Sequence, residues 1–83
     1  MARIFLDQGF IFHIWPHDHE PPHLHIFKGG NEVEINIGDS EIPPSIKNIN
    51  GMKSPDIKKA IRMVAENQEL FLSKWEEWHG NQE

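Results

Sequence analysis

The first half of the chain contains short stretches in which apolar and polar residues alternate, the pattern of strands with one buried face. Residues 3–6 and 10–15 form the first two stretches, and Asp7-Gln8-Gly9 between them is typical of a turn. We therefore expect a hairpin from this segment. Alternate residues of its second strand divide between two faces, with Phe10, Phe12 and Ile14 on one and Ile11, His13 and Trp15 on the other.

A second hairpin is indicated more strongly, because residues 23–28 and 31–37 alternate on either side of Gly29-Gly30. Glycine supplies the positive φ angles that a tight hairpin turn requires at its central positions. With the two glycines at those positions, the register places His25 opposite Glu34. The apolar face of this hairpin then consists of Leu24, Ile26, Val33, Ile35 and Ile37, and the polar face of His23, His25, Phe27, Glu32, Glu34 and Asn36.

The segments that follow the two hairpins are predicted to be a loop and a possible fifth strand. Residues 16–22 are expected to form a loop, because Pro16, Pro21 and Pro22 cannot donate to a β-ladder. Residues 45–50 are a candidate edge strand. Because an exposed edge can pair with another chain, a homodimer is one assembly that the sequence allows.

The C-terminal third has helical periodicity. Ser54 is expected as the N-cap, Pro55 in the first turn, and Gly80 at the end of one helix over about residues 55–79. The stripe that steps by three and four comprises Ile57, Ile61, Val64, Gln68, Phe71, Trp75 and Trp78. The predicted fold class is α+β: an antiparallel sheet of four to five short strands with one long C-terminal helix packed on one face.

Composition narrows the functional classes. The chain has 83 residues, 37% of them hydrophobic, which supports a single domain over residues 1–83 with one core. A net charge of −5 disfavours nonspecific DNA binding, which needs a dense basic face. No stretch approaches the ~20 apolar residues of a membrane span, and the N-terminus lacks a signal-peptide layout. We therefore expect a cytoplasmic protein without membrane association.

Candidate chemistry is concentrated between residues 13 and 25, which hold five of the six histidines. His23 and His25 alternate on one strand, so their side chains project the same way. Glu34 is the expected cross-strand neighbour of His25. His13, on the strand face opposite Phe10, Phe12 and Ile14, and His19, in the loop, are expected to join them. These five residues form the predicted site, and Asp18 and His17 lie nearby.

One interpretation of the site is metal binding. Because the chain has no cysteine, imidazole and carboxylate would be the ligands of Zn²⁺ or another divalent metal. The candidate ligands are His19, His23 and His25, with Glu34 or His13 as an addition. The interpretation without chemistry is a structural corner, in which His19 and His23 satisfy carbonyl groups and His25 pairs with Glu34.

Two further interpretations involve phosphate. Paired histidines can exchange protons on a phosphodiester, with His23 and His25 as the catalytic groups and Glu34 orienting His25. Protonated histidines can instead bind an anionic ligand or an RNA phosphate beside an aromatic stacking surface. The candidate ligand- or phosphate-binding residues are His13, Trp15, Asp18 and His19.

The segment Glu20-Pro21-Pro22-His23-Leu24-His25, with Asp18 just upstream, resembles the hallmark of a small prokaryotic family, the domain of unknown function 4160 family. Residues 64–75 resemble the helical motif that follows it. The resemblance implies no established catalytic role for the hallmark positions. It does imply a toxin–antitoxin-like gene pair, and hence a small cognate protein encoded nearby as partner. The histidines at positions 13, 17 and 19 fall outside the family pattern.

Combined, these expectations describe a component of a toxin–antitoxin-like module whose histidine-rich site suits RNA or phosphate binding or cleavage. A His/carboxylate metal-binding domain is the first alternative. A non-enzymatic protein-interaction module, in which the acidic surface and Trp15 dock a basic partner, is the second.

Overall fold

The computed structural model of the chain describes residues 2–79, with side chains from residue 5 onward. Within that range the fold is α+β, as predicted, and its five strands form one antiparallel sheet in the order β1-β2-β3-β4-β5. The elements are β1 (Ala2–Asp7), β2 (Phe10–Ile14), β3 (His23–Lys28), β4 (Asn31–Asn36), β5 (Ser45–Asn50), α1 (Ser54–Glu66) and α2 (Gln68–His79).

The register of the second hairpin is confirmed along its whole length. Lys28 pairs with Asn31, and His25 pairs with Glu34. The turn between them uses Gly29 and Gly30 at φ values of 58° and 85°, a backbone that side chains with a Cβ atom rarely adopt. Strict alternation in both strands leaves no other register that buries the aliphatic side chains.

The core lies between one face of the sheet and the two helices. The sheet contributes the apolar faces predicted for β2, β3 and β4, and the helices contribute residues spaced by three and four. Fully buried members include Phe10, Phe12, Ile14, Leu24, Ile26, Val33, Ile35, Ile37, Val64 and Phe71. The opposite face of the sheet is therefore free to carry polar side chains.

The prediction of one long C-terminal helix is wrong in detail, because the helical segment is divided at Asn67 into α1 and α2. At Asn67 the backbone leaves helical geometry (φ −122°, ψ 26°), and the side-chain Nδ2 donates to the carbonyl of Met63 at 2.9 Å. An asparagine amide competes in this way with the helical ladder. The apolar stripe continues in phase across the break, so periodicity alone does not reveal it.

The start of α1 also differs from the prediction. Lys53 is the N-cap, without a side-chain cap hydrogen bond, and Ser54 is already the first helical residue. The predicted end at Gly80 lies outside the described residues. Neither described helix is long and apolar enough to cross a membrane.

Candidate metal centre

Three side chains converge on the polar face of the sheet, where the loop after β2 returns to β3. Oδ2 of Asp18 lies 3.0 Å from Nε2 of His25 and 3.5 Å from Nε2 of His23. Asp18, His23 and His25 each offer one ligand atom, and these atoms lie within 4.8 Å of one another. The predicted convergence of the two strand histidines is thus present in the structure, and Asp18 is the residue on which they converge.

The backbone explains this convergence. His23 and His25 are alternate residues of β3, so both project from the same face, and their ring centroids are 5.3 Å apart. Asp18 is held by a tight turn in which its N–H donates to the carbonyl of Trp15 at 3.1 Å. In return, the N–H of Trp15 donates to Oδ2 of Asp18 at 3.3 Å. The turn therefore aims the carboxylate at the two imidazoles.

The orientation of His23 is defined by its other ring nitrogen. Nδ1 lies 2.9 Å from the carbonyl oxygen of Pro21, which can only accept, so Nδ1 carries the proton. In the neutral ring the lone pair is then on Nε2, the atom that approaches Asp18. The ring is buried, at 4% exposure, and packs against the indole of Trp75 on α2 with centroids 5.4 Å apart.

His25 lies between two carboxylates. Its Nε2 is 3.0 Å from Oδ2 of Asp18, and its Nδ1 is 2.9 Å from Oε2 of Glu32. A neutral imidazole has only one N–H, so it can donate to only one of these acceptors. Its other nitrogen then places a lone pair beside a carboxylate oxygen, an arrangement that a bound cation would stabilise.

Glu32 is a site residue that the sequence places on the polar face but does not identify as a partner of His25. The prediction centred on Glu34, which is directly opposite His25 in the register, but its Oε2 lies 3.9 Å from Nδ1. Glu32 is the diagonal neighbour of His25 on the same face, and its Oε2 lies 2.9 Å from Nδ1, within hydrogen-bond distance. Diagonal pairs lie within range of long side chains, and that geometry is the signal that could have identified it.

His25, Glu32 and Glu34 form a second set of potential ligands within 4.8 Å. This set uses Nδ1 of His25, whereas the set with Asp18 uses Nε2. A neutral imidazole offers one lone pair, so the two sets are alternatives for a single ion. The set with Asp18 contains a second imidazole whose lone pair already points inward, and that difference favours it.

The other predicted residues lie around this cluster. The His13 ring packs against Trp15 and Phe27, with centroids 5.7 and 5.3 Å apart. Trp15 contacts the edge of His25 at 5.8 Å. His17 and His19 are exposed. The structure therefore places the Trp15 ring against the cluster, and His17 and His19 at the solvent-exposed side of the cluster.

A cavity of about 310 Å³ opens over the cluster. Lys47 of β5 lines one side of this cavity, and its Nζ lies 4.0 Å from Oε1 of Glu34. The remaining lining residues are His17, Asp18, His19, Glu20, His23, His25 and Glu34. A ligand bound between the three converging side chains would therefore have access to solvent from one side.

Comparison with known proteins gives one match. The family described as Domain of unknown function (DUF4160) matches residues 9–76, which include every strand from β2 to β5, α1 and most of α2. No curated protein and no solved structure matches the chain significantly. The matched range includes Asp18, His23 and His25, but the family description assigns no activity to them.

Proposed function

We propose that this chain, which belongs to the domain of unknown function 4160 family, binds one divalent transition-metal ion. The ligands are Oδ2 of Asp18, Nε2 of His23 and Nε2 of His25. This set overlaps the ligands expected from the sequence at His23 and His25. It replaces His19, which is exposed, with Asp18.

The observation that carries the proposal is that the Nδ1 atom of each imidazole, on the side of the ring away from Asp18, lies at hydrogen-bond distance from an oxygen atom. Nδ1 of His23 faces the Pro21 carbonyl, and Nδ1 of His25 faces the Glu32 carboxylate. Metal-bound histidines donate their second N–H to an acceptor of this kind, which fixes the tautomer and the ring direction. Here both Nδ1 atoms have such acceptors, and with the protons on these atoms the two Nε2 lone pairs would face Oδ2 of Asp18.

The spacing of the atoms suits a tetrahedral ion. Metal–ligand bonds of about 2.0–2.2 Å separate the ligands of a tetrahedral site by about 3.3–3.6 Å. Nε2 of His23 lies 3.5 Å from Oδ2 of Asp18, and Nε2 of His25 lies 3.0 Å from it. These two separations are within about 0.3 Å of the tetrahedral range, and all three ligand atoms lie within 4.8 Å of one another.

The ligand types indicate the class of metal. Two imidazoles and one carboxylate favour zinc, nickel, cobalt or iron(II) over calcium and magnesium, which prefer all-oxygen sites. Three protein ligands leave at least one position for water or substrate, and the cavity lies on that side. Sites with an open position are typical of metal-assisted catalysis, whereas structural zinc sites are closed by a fourth protein ligand.

Phosphate or RNA cleavage by His23 and His25 without a metal stays a prediction, as does a toxin–antitoxin role. Asp18, Glu32 and Glu34 surround His25 and would repel a phosphate group. A bound cation would offset two of those negative charges. The metal proposal therefore accounts for the acidic surroundings that a metal-free phosphate site would have to overcome.

The proposal is tested by metal content after dialysis against buffered micromolar zinc, measured by mass spectrometry. We expect one zinc per chain for the parent protein and less than a tenth of that for His23→Ala. His17→Ala is the matched control, because it removes a nearby exposed imidazole outside the ligand set, and it should retain one zinc per chain. A parent protein that emerges without zinc, or a His23→Ala variant that binds as well as the control, would refute the proposal.

A further inference from the structure

The outer strand β5 differs from the rest of the sheet in that all six of its residues are exposed. Among residues 2–79 it pairs with β4 on one side only, so its other side presents backbone N–H and C=O groups. Two of its side chains are isoleucines, and Ile46 and Ile49 are 45% and 49% exposed. This edge combines unpaired backbone groups with apolar side chains, which is the chemistry that an additional β-strand recognises.

A bulge places both isoleucines on the same face of the sheet. Ile49 pairs with Val33 and Ile46 pairs with Ile35, whereas Lys47 has no residue opposite it in β4. Val33 and Ile35 are fully buried under the helices, so Ile46 and Ile49 project from that same face. In a regular strand, residues three apart would lie on opposite faces. The bulge therefore creates the exposed apolar pair.

The sequence of β5 is complementary to itself in the antiparallel direction. When a second copy of β5 is aligned with its centre between Lys47 and Asn48, Ile46 comes opposite Ile49 of the second copy. By the same two-fold symmetry, Ile49 comes opposite Ile46 of the second copy, and Ser45 opposite Asn50. We propose that two copies of this chain associate through β5 in this register.

The charges of β5 are compatible with a second copy as the occupant. β5 carries one basic residue and no acidic residue, whereas the adjacent β4 carries Glu32 and Glu34. In the proposed register Lys47 lies opposite Asn48 of the second copy, and each lysine stays beside its own Glu34, 4.0 Å away. The two strands therefore meet at a seam of neutral and basic side chains bordered on both sides by acidic ones.

The resulting dimer has a continuous sheet of ten strands, five from each copy, with all helices on one face. The four isoleucines cover one another on the helical face, and the two candidate metal centres lie on the opposite face. The interface is isologous, because each copy uses the same strand, so pairing closes at two chains. This inference does not depend on metal binding.

The register is tested with single-cysteine variants, because the native chain has no cysteine. Cross-strand neighbours have Cβ atoms about 4.5–5.5 Å apart, close enough for oxidation to form a disulfide after a small adjustment. Ile46→Cys mixed with Ile49→Cys should give a cross-linked dimer. Either variant alone should not, because identical positions are three residues out of register. No cross-linking in the mixture, or equal cross-linking in each variant alone, would overturn the proposed register.

The assembly itself is tested by light scattering during size-exclusion chromatography of the metal-free protein. We expect twice the chain mass for the parent and a two-fold lower mass for Ile49→Lys. Leu70→Lys, a change of another exposed apolar residue on α2, is the control and should keep the dimer mass. Circular dichroism equal to the parent's shows that each variant is folded. A parent protein that is monomeric at about 100 μM would overturn the proposal. So would a parent that pairs through β5 only with a strand of a different protein.

Discussion

One carboxylate oxygen, Oδ2 of Asp18, is the meeting point of three nitrogen atoms. It accepts from the N–H of Trp15 and lies next to Nε2 of both His23 and His25. When Nδ1 of each imidazole carries the proton, both Nε2 lone pairs face this oxygen, and a lone pair beside a carboxylate is unfavourable until a positive charge separates them. The proposed metal ion supplies that charge for both imidazoles at once.

Glu32 tests this account at a single residue. If Glu32 holds Nδ1–H of His25, then Glu32→Gln should weaken zinc binding about 10–100-fold without removing a ligand, as is typical for such outer contacts. Glu41→Gln, at an exposed loop position, is the control. Competition with a zinc-binding dye measures both affinities. Equal affinities would show that the carboxylate charge of Glu32 does not contribute to zinc binding.

His79 makes a second residue-scale prediction, on stability. Its Nδ1 lies 3.1 Å from the carbonyl oxygen of Trp75 and its Nε2 3.1 Å from that of Trp15, so the ring joins α2 to the loop after β2. The ring also stacks on the Trp75 indole at 3.8 Å between centroids. His79→Ala should lower the free energy of unfolding by about 1–3 kcal/mol, because it removes a hydrogen bond of the ring and its stacking on Trp75.

Urea denaturation checks this value, and His17→Ala should lie within about 0.5 kcal/mol of the parent because that side chain is exposed. A His79→Ala variant as stable as the control would mean that the link between α2 and the loop contributes nothing.

Among the elements, those with strict periodicity could be predicted and those shaped by single contacts could not. The register of the second hairpin is predictable to the residue, because Gly29-Gly30 and the alternating isoleucines allow one register only. The break at Asn67 was missed, since it depends on one amide donating to the carbonyl of Met63. Within the site, alternation predicts that His23 and His25 share a face. The turn that delivers Asp18 depends on loop hydrogen bonds that no periodic pattern encodes.

The loop between β4 and β5 gives a prediction at the element scale. Gly38 has a φ of 74°, and a Cβ atom there would overlap the carbonyl oxygens of Ile42 and Pro43. Gly30 also has positive φ, at 85°, but a Cβ atom there would meet open space. Gly38→Ala should therefore be the more destabilising by at least 1 kcal/mol, since it adds a clash to the backbone strain.

Thermal unfolding of the two glycine variants side by side provides the comparison. A Gly38→Ala variant that unfolds at the same temperature as Gly30→Ala, or above it, would show that the loop adjusts without cost.

At the scale of the whole molecule, the proposed ion connects the loop after β2 to the middle of the sheet. A ligand that binds only the native state raises stability by about 2.7 kcal/mol at a hundredfold excess over its Kd. Zinc should therefore raise the unfolding temperature of the parent protein, whereas Asp18→Asn should show a much smaller rise. Differential scanning calorimetry with and without zinc measures both. An equal rise in the two proteins would place the stabilising ion elsewhere.

The central claim is the identity of the three ligands, and anomalous diffraction at the zinc absorption edge tests it most directly. Crystals grown with zinc should show one peak per chain, within about 2.0–2.2 Å of Oδ2 of Asp18, Nε2 of His23 and Nε2 of His25. A peak bound instead by Glu32 and Glu34, or only by the exposed His17 and His19, would contradict the account.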